Sequence, residues 1–172
     1  MYNTTFSESV AAVKSALAPV AAERSVLYLH PGQLFASADP YEVTTILGSC
    51  VSVCLWDPVL GIGGLNHFLL PQWAGDGASS ARFGNVAIHR LIDRLADIGS
   101  SKQNLLAKVF GGACVLEAFR SSRNQLGDEN VGVAIKLLQA EGIPVLTQDV
   151  GGQNGRKLKF QTDHGVAWVK RL

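Results

Sequence analysis

Apolar and polar positions follow a strand-like rhythm through the first half of the chain and switch to a helical period twice further on. From Ser25 the runs SVLYLH, LFAS, Glu42 to Leu47 and Val51 to Trp56 are rich in Val, Ile, Leu and Thr. They are separated by Pro31-Gly32 and Asp39-Pro40, so they read as short strands between turns. Ile88, Leu91, Ile92 and Leu95 recur at the i, i+3, i+4, i+7 spacing of one helix face. Asn85 is its predicted N-cap and Gly99 its stop. A second stripe, Val131, Ala134, Ile135 and Leu138, predicts a helix capped by Asn130 and ended by Gly142. LLAKVFGG and Ile143 to Leu146 read as further strands. The closing segment DVGGQNGRKLKFQTDHGVAWVKRL reads as strand, Gly-rich turn and hairpin. Ahead of all this, Thr5 and Glu8 form a candidate capping box for a short helix carrying Val10, Val13 and Leu17, with Pro19 to end it.

These elements predict a layered α/β domain over residues 25–172, with a mixed or mostly antiparallel sheet flanked by helices. Residues 1–24 are expected to form an N-terminal arm. At 172 residues, with 47% hydrophobic and 17% charged, the chain has material for one buried core. A formal net charge of +1, with scattered bases, argues against nucleic acid as a partner. No segment has the make-up of a signal peptide or a membrane span, so a cytoplasmic location is expected. Three cysteines fit a reducing compartment. Cys50 and Cys54, on one strand, would lie about 13 Å apart, beyond the ~7 Å Cα limit for a disulfide.

One polar pair stands out against the apolar run TTILGSCVSVCLWDPVLGIGGLNHFLLP. Asp57-Pro58-Val59-Leu60 has a turn signature, and a tight turn centred on its middle pairs residues whose numbers sum to 117. Cys50 would then face His67 across the ladder, on the same face of the sheet. A thiol beside an imidazole supports acyl transfer: the sulfur attacks, the histidine protonates the leaving group and later activates water. Backbone N–H groups around Gly48-Ser49-Cys50 are candidates to bind an oxyanion, with Gly48 allowing a tight turn. A slip of one residue would send the pair to opposite faces. Cys54 and Cys114 read as buried hydrophobes, and Thr44 alone would be strand filling. The cysteines lack the paired Cys-x2-Cys spacing of a zinc site, and GGQNGR lacks the order of a phosphate-binding loop.

Six blocks of the chain then resemble the chemoreceptor glutamine deamidases, the CheD family of bacterial chemotaxis. They are YLHPGQLFASADP, VTTILGSCVSVCLWDP, GIGGLNHFLLP, RFGNVAIHRLID, AKVFGGA and EGIPVLTQDVGGQNGRK. The resemblance implies Cys50 as nucleophile, His67 as catalytic histidine and Thr44, six residues before the cysteine, as the residue orienting it. It implies deamidation of glutamines on chemoreceptor cytoplasmic helices, with receptor glutamate methyl esters as related substrates. It also implies a fold similar to bacterial toxin cysteine deamidases, no cofactor and no metal, and a CheC-type phosphatase as a regulatory partner. Two motifs depart from the family. Its usual GERN is Gly127-Asp128-Glu129-Asn130 here, and its GGAN ends in Cys114.

Overall fold

The computed structural model describes residues 24–75, 77–115 and 126–172; the expected helix between Thr5 and Pro19 lies outside them. The strands are β1 (Ser25–Tyr28), β2 (Leu34–Ser37), β3 (Tyr41–Leu47), β4 (Val51–Asp57), β5 (Ile62–Asn66), β6 (Leu106–Gly111), β7 (Val145–Val150), β8 (Arg156–Gln161) and β9 (Ala167–Arg171). The helices are α1 (Gly84–Asp97) and α2 (Leu126–Ala140), with a short 3-10 turn at Lys102–Asn104. The expected α/β layering is present, but the strands form two sheets instead of one. Their orders are β1-β3-β8-β9 and β2-β5-β4-β6-β7, and each is mixed, with β1–β3 and β6–β7 parallel.

The five-stranded sheet is the middle layer. Alternation along β4 sends Val51, Val53 and Leu55 towards the helices, where Ile88, Leu91, Leu95, Ala134 and Leu138 cover them. Its other face carries Cys54, with Leu65 of β5 and Phe110 of β6, against Val43, Leu47, Leu158 and Phe160 of the second sheet. Both faces of β4 are therefore buried, which is why its sequence is apolar almost throughout. Each Val, Leu, Ile or Phe side chain among these, taken out of water, contributes roughly 1.5–3 kcal/mol before entropy is counted.

The helix ends follow their glycines. Gly99 (φ +103°) donates to Ala96 and Ser100 to Leu95, while Gly142 (φ +71°) and Ile143 repeat the arrangement on α2. The helix starts do not follow their asparagines. The residue preceding α1 is Phe83, without a side-chain cap, and Asn85 sits inside the helix, its Oδ1 accepting from the Trp73 N–H at 2.9 Å. Asn130 lies within α2, fully buried. Tertiary partners compete for both amides and win.

The Gly-rich segment 151–155 crosses from one sheet to the other, so it is not the turn of a hairpin; the closing hairpin is β8–β9. Arg156, 2% exposed, fixes that crossing by pairing with Asp149 at 2.8 Å and donating to the Gly151 carbonyl at 2.7 Å. Arg24 grips Asp163 at 2.7 Å, anchoring the start of the domain to the β8–β9 turn.

Candidate active site

The β4–β5 hairpin sets the site. Its loop spans residues 58–61, with Gly61 at φ +67° donating to the Asp57 carbonyl at 2.9 Å. The buried Asp57 carboxylate accepts the Val59 and Leu60 N–H groups at 2.9 and 3.2 Å and the Ser100 hydroxyl at 2.8 Å. Burial pushes its carboxyl up, but these donors, joined by Asn104, outweigh burial and hold it below the ordinary carboxylate value.

This loop makes paired residue numbers sum to 119, as in Cys54 with Leu65 and Asp57 with Ile62, where the tight turn expected over Asp57-Pro58-Val59-Leu60 would give 117. Val51 and Phe68 continue the same register through two mutual hydrogen bonds of 3.0 Å. Ser52 is thus opposite His67, and Cys50 is displaced from it by two positions. A slip of two preserves parity, so Cys50 and His67 remain on one face as diagonal neighbours, with Cα atoms about 7–8 Å apart. That face is the one between the sheets: Cys50 packs against the core formed by Leu47, Cys54 and Phe110. The thiol is half-buried and the imidazole behind it is 1% exposed.

Thr45 holds the imidazole, where Thr44 was expected to. The Thr45 hydroxyl donates to the Leu29 carbonyl at 2.8 Å and lies 2.7 Å from His67 Nδ1. A hydroxyl has one proton, and that proton goes to Leu29, so the hydroxyl must accept from Nδ1–H. The neutral ring therefore carries its proton on Nδ1 and leaves a lone pair on Nε2. That Nε2 is buried and has no hydrogen-bond partner among the described residues. Thr44 belongs to the opposite parity of β3, level with Tyr28 and Lys159 on the neighbouring strands. Alternation already separates the two: Thr45 shares its face with the buried Val43 and Leu47.

The segment after β1 closes over the histidine. Gly32 N–H donates to the His67 carbonyl at 2.7 Å, and His67 N–H donates to the Gln33 carbonyl at 2.9 Å. Burial pushes the His67 pKa down to about 4; the Leu29 carbonyl opposes this and His30 adds to it. Burial also pushes the Cys50 thiol up, partly offset by its own backbone N–H directed at the sulfur. Burial thus disfavours the charged form of both groups, against the thiolate–imidazolium pair that proximity alone suggests. Cys54, fully enclosed, is pushed up to about 12.

The main chain around the nucleophile is tightly fitted. Gly48 keeps an ordinary φ, so it is not needed for a left-handed turn; a Cβ there would press on Val115 at 3.3 Å. Its carbonyl accepts from Ala113 N–H at 2.8 Å, and the Cys50 carbonyl accepts from Gly112 N–H at 2.9 Å. Gly111, at φ +110°, lies so close that a Cβ would fall on the Cys50 carbonyl oxygen. Ser49 presents its carbonyl to the Asn130 side chain of α2 at 3.0 Å. The predicted Cys50 and His67 share one face of the sheet, with Gly48 and Ser49 leading into the cysteine, and Thr44 stands apart. Thr45, Asn130 and the 29–33 segment join them. Asn130 carries its own sequence signal, a polar residue four places before Ala134 on the apolar stripe. Among the described residues no group of three His, Cys, Asp or Glu side chains is placed to hold a metal ion.

The family model and the curated relatives agree on one family. Residues 69–171 match the family described as CheD chemotactic sensory transduction. A protein of Anaeromyxobacter dehalogenans named probable chemoreceptor glutamine deamidase CheD 1 is 53% identical over 149 residues, covering 87% of this chain and 86% of its own. A Trichlorobacter lovleyi protein named probable chemoreceptor glutamine deamidase CheD is 42% identical, covering 84% of this chain and 89% of its own. Among solved structures, the hypothetical protein YfiH of Bacillus licheniformis is a distant neighbour, with TM-score 0.45 and 17% identity over 67% of this chain and 49% of that one. The chain belongs to the CheD family.

Proposed function

We propose that this protein converts glutamine side chains of chemoreceptor cytoplasmic helices to glutamate, with Cys50 as nucleophile and His67 as proton carrier. The observation that supports it most is an imidazole tautomer fixed by Thr45, with Nε2 unpaired on the face that also carries a half-exposed thiol. The relatives' names supply the substrate class.

In this mechanism the substrate amide enters at the sulfur. Cys50 passes its proton to Nε2 as sulfur bonds to the amide carbon, and the carbonyl oxygen becomes an oxyanion. His67 returns the proton to nitrogen, the C–N bond breaks and ammonia leaves, giving a thioester. Nε2 then removes a proton from water, whose oxygen attacks the thioester carbon. The C–S bond breaks, the thiol regains the proton and glutamate is released. A neutral resting pair suits this sequence, since the base is unprotonated at the outset. A methyl ester of a receptor glutamate would form the same thioester with methanol as the leaving group, so esterase activity at the same sulfur is part of the proposal. Such receptor segments place the reaction in the cytoplasm.

Incubation of the protein with a chemoreceptor cytoplasmic fragment, read by intact mass and ammonia release, tests this. Conversion by wild type that vanishes in Cys50→Ala is the expected result. Conversion that survives the replacement defeats the mechanism, and backbone fragments would indicate a thiol peptidase. A silent wild type that still binds a CheC-type phosphatase would indicate a regulatory binding module instead.

A further inference from the structure

Asn130 is fully buried on α2, yet both protons of its amide reach the main chain of the site. Nδ2 donates to the Ser49 carbonyl at 3.0 Å and to the Leu69 carbonyl at 2.9 Å. The first carbonyl precedes the nucleophile and the second lies two residues beyond the histidine, so one side chain ties the two chemical segments together. The peptide planes around Cys50 are held differently. The plane after it is fixed by the backbone: Gly112 N–H donates to the Cys50 carbonyl and Val51 N–H to the Phe68 carbonyl. The plane before it, Ser49 to Cys50, receives no backbone donor at its carbonyl among the described residues and depends on Asn130.

A trans peptide is planar, with C=O and N–H pointing in opposite directions. Pinning the Ser49 carbonyl towards α2 therefore points the Cys50 N–H away from it, on the sulfur side. Once sulfur attacks a carbonyl carbon, the new oxyanion forms next to that N–H. We propose that Asn130 is a positioning residue that aims the Cys50 backbone N–H at the oxyanion. This rests on the assignment of Cys50 as nucleophile.

Two reagents separate aiming from mere support. Acylation of Cys50 by p-nitrophenyl acetate passes through a tetrahedral oxyanion, whereas alkylation by iodoacetamide displaces iodide at a saturated carbon and builds none. In Asn130→Ala and Asn130→Asp the acylation rate should fall about 10²-fold while alkylation stays within about threefold, and kcat for deamidation should fall with KM little changed. Equal loss of acylation and alkylation, or retention of both, would overturn the proposal. Should either variant fail to fold, Asn130→Ser, which keeps one donor, is judged by the same ratio. A wild type that acylates but deamidates no receptor would defeat the proposed substrate, and the acylation-to-alkylation ratio would still decide the role of Asn130.

Discussion

The Thr45 hydroxyl sits 2.7 Å from Nδ1 of His67 while its single proton goes to the Leu29 carbonyl at 2.8 Å. This fixes which ring nitrogen carries the proton and which is free to accept one. Thr45→Val keeps the shape and removes the acceptor, leaving Nδ1–H and the Leu29 carbonyl unpaired. Deamidase kcat should fall about 10²-fold, with a stability loss of about 1–3 kcal/mol. Thr44→Val, on the other face of β3, should keep activity within about threefold. Steady-state kinetics of the two variants side by side provide the check; a larger loss from Thr44→Val would reverse the assignment.

The acid limb of the kcat/KM profile should report His67 in the free protein. Because burial brings its pKa down to about 4, activity should persist well below the ordinary histidine value of 6.5. Alkylation of Cys50 should climb with pH through neutrality, since burial raises the thiol above its usual 9.0. A plateau in alkylation at neutral pH would reveal a resting thiolate and contradict the neutral pair. Cys54 should stay unlabelled until the protein is denatured, being 1% exposed.

Folding stability carries the same signature. The native imidazole stays neutral down to about 4, whereas the unfolded one protonates near 6.5. Between those values the unfolded state binds the extra proton, so stability is full above the upper value and declines as pH falls towards the lower one. Urea titrations across that window should show the decline in wild type and a shallower one in His67→Gln.

Asp57→Ala should be a stability lesion with intact chemistry. The carboxylate accepts hydrogen bonds from Val59, Leu60 and Ser100 at the far end of β4, about 23 Å along the strand from Cys50. Its loss leaves the buried Ser100 hydroxyl and two loop N–H groups without their acceptor and should lower unfolding free energy by about 2 kcal/mol. Cys50 alkylation in the folded fraction should match wild type; a slowed rate would show that the loop controls the site more directly.

Gly111→Ala should be far more damaging than its one methyl suggests. The residue needs a left-handed backbone, and the added carbon would collide with the Cys50 carbonyl. Loss of both thermal stability and deamidation is expected, measured by melting and by ammonia release. Wild-type behaviour would mean that the chain shifts there freely.

Most elements were legible because each depends on local signals: alternation in β3 and β4, the 3.6-residue period of α1 and α2, and glycine at both helix ends. The division into two sheets was not, since β3 pairs with β8 across more than a hundred residues and no local pattern reports the partner. The asparagines misled for a related reason. Asn85 and Asn130 look like caps, yet their amides serve Trp73, Ser49 and Leu69, which only the folded chain brings near. Cys50 and His67 were singled out both by the turn argument and by family resemblance, although the turn placed them two positions closer in register than they are. Thr44 came from resemblance alone, and strand alternation would have pointed to its neighbour.

The 58–61 loop acts as a counter. Because side chains on paired strands change sides at every step, lengthening or shortening this connection by an odd number of residues would turn the imidazole away from the sulfur. An even change would merely slide one past the other. Natural and engineered length variants of this connection should therefore retain hydrolysis in twos, a rule of arithmetic imposed on a loop that touches none of the reacting atoms.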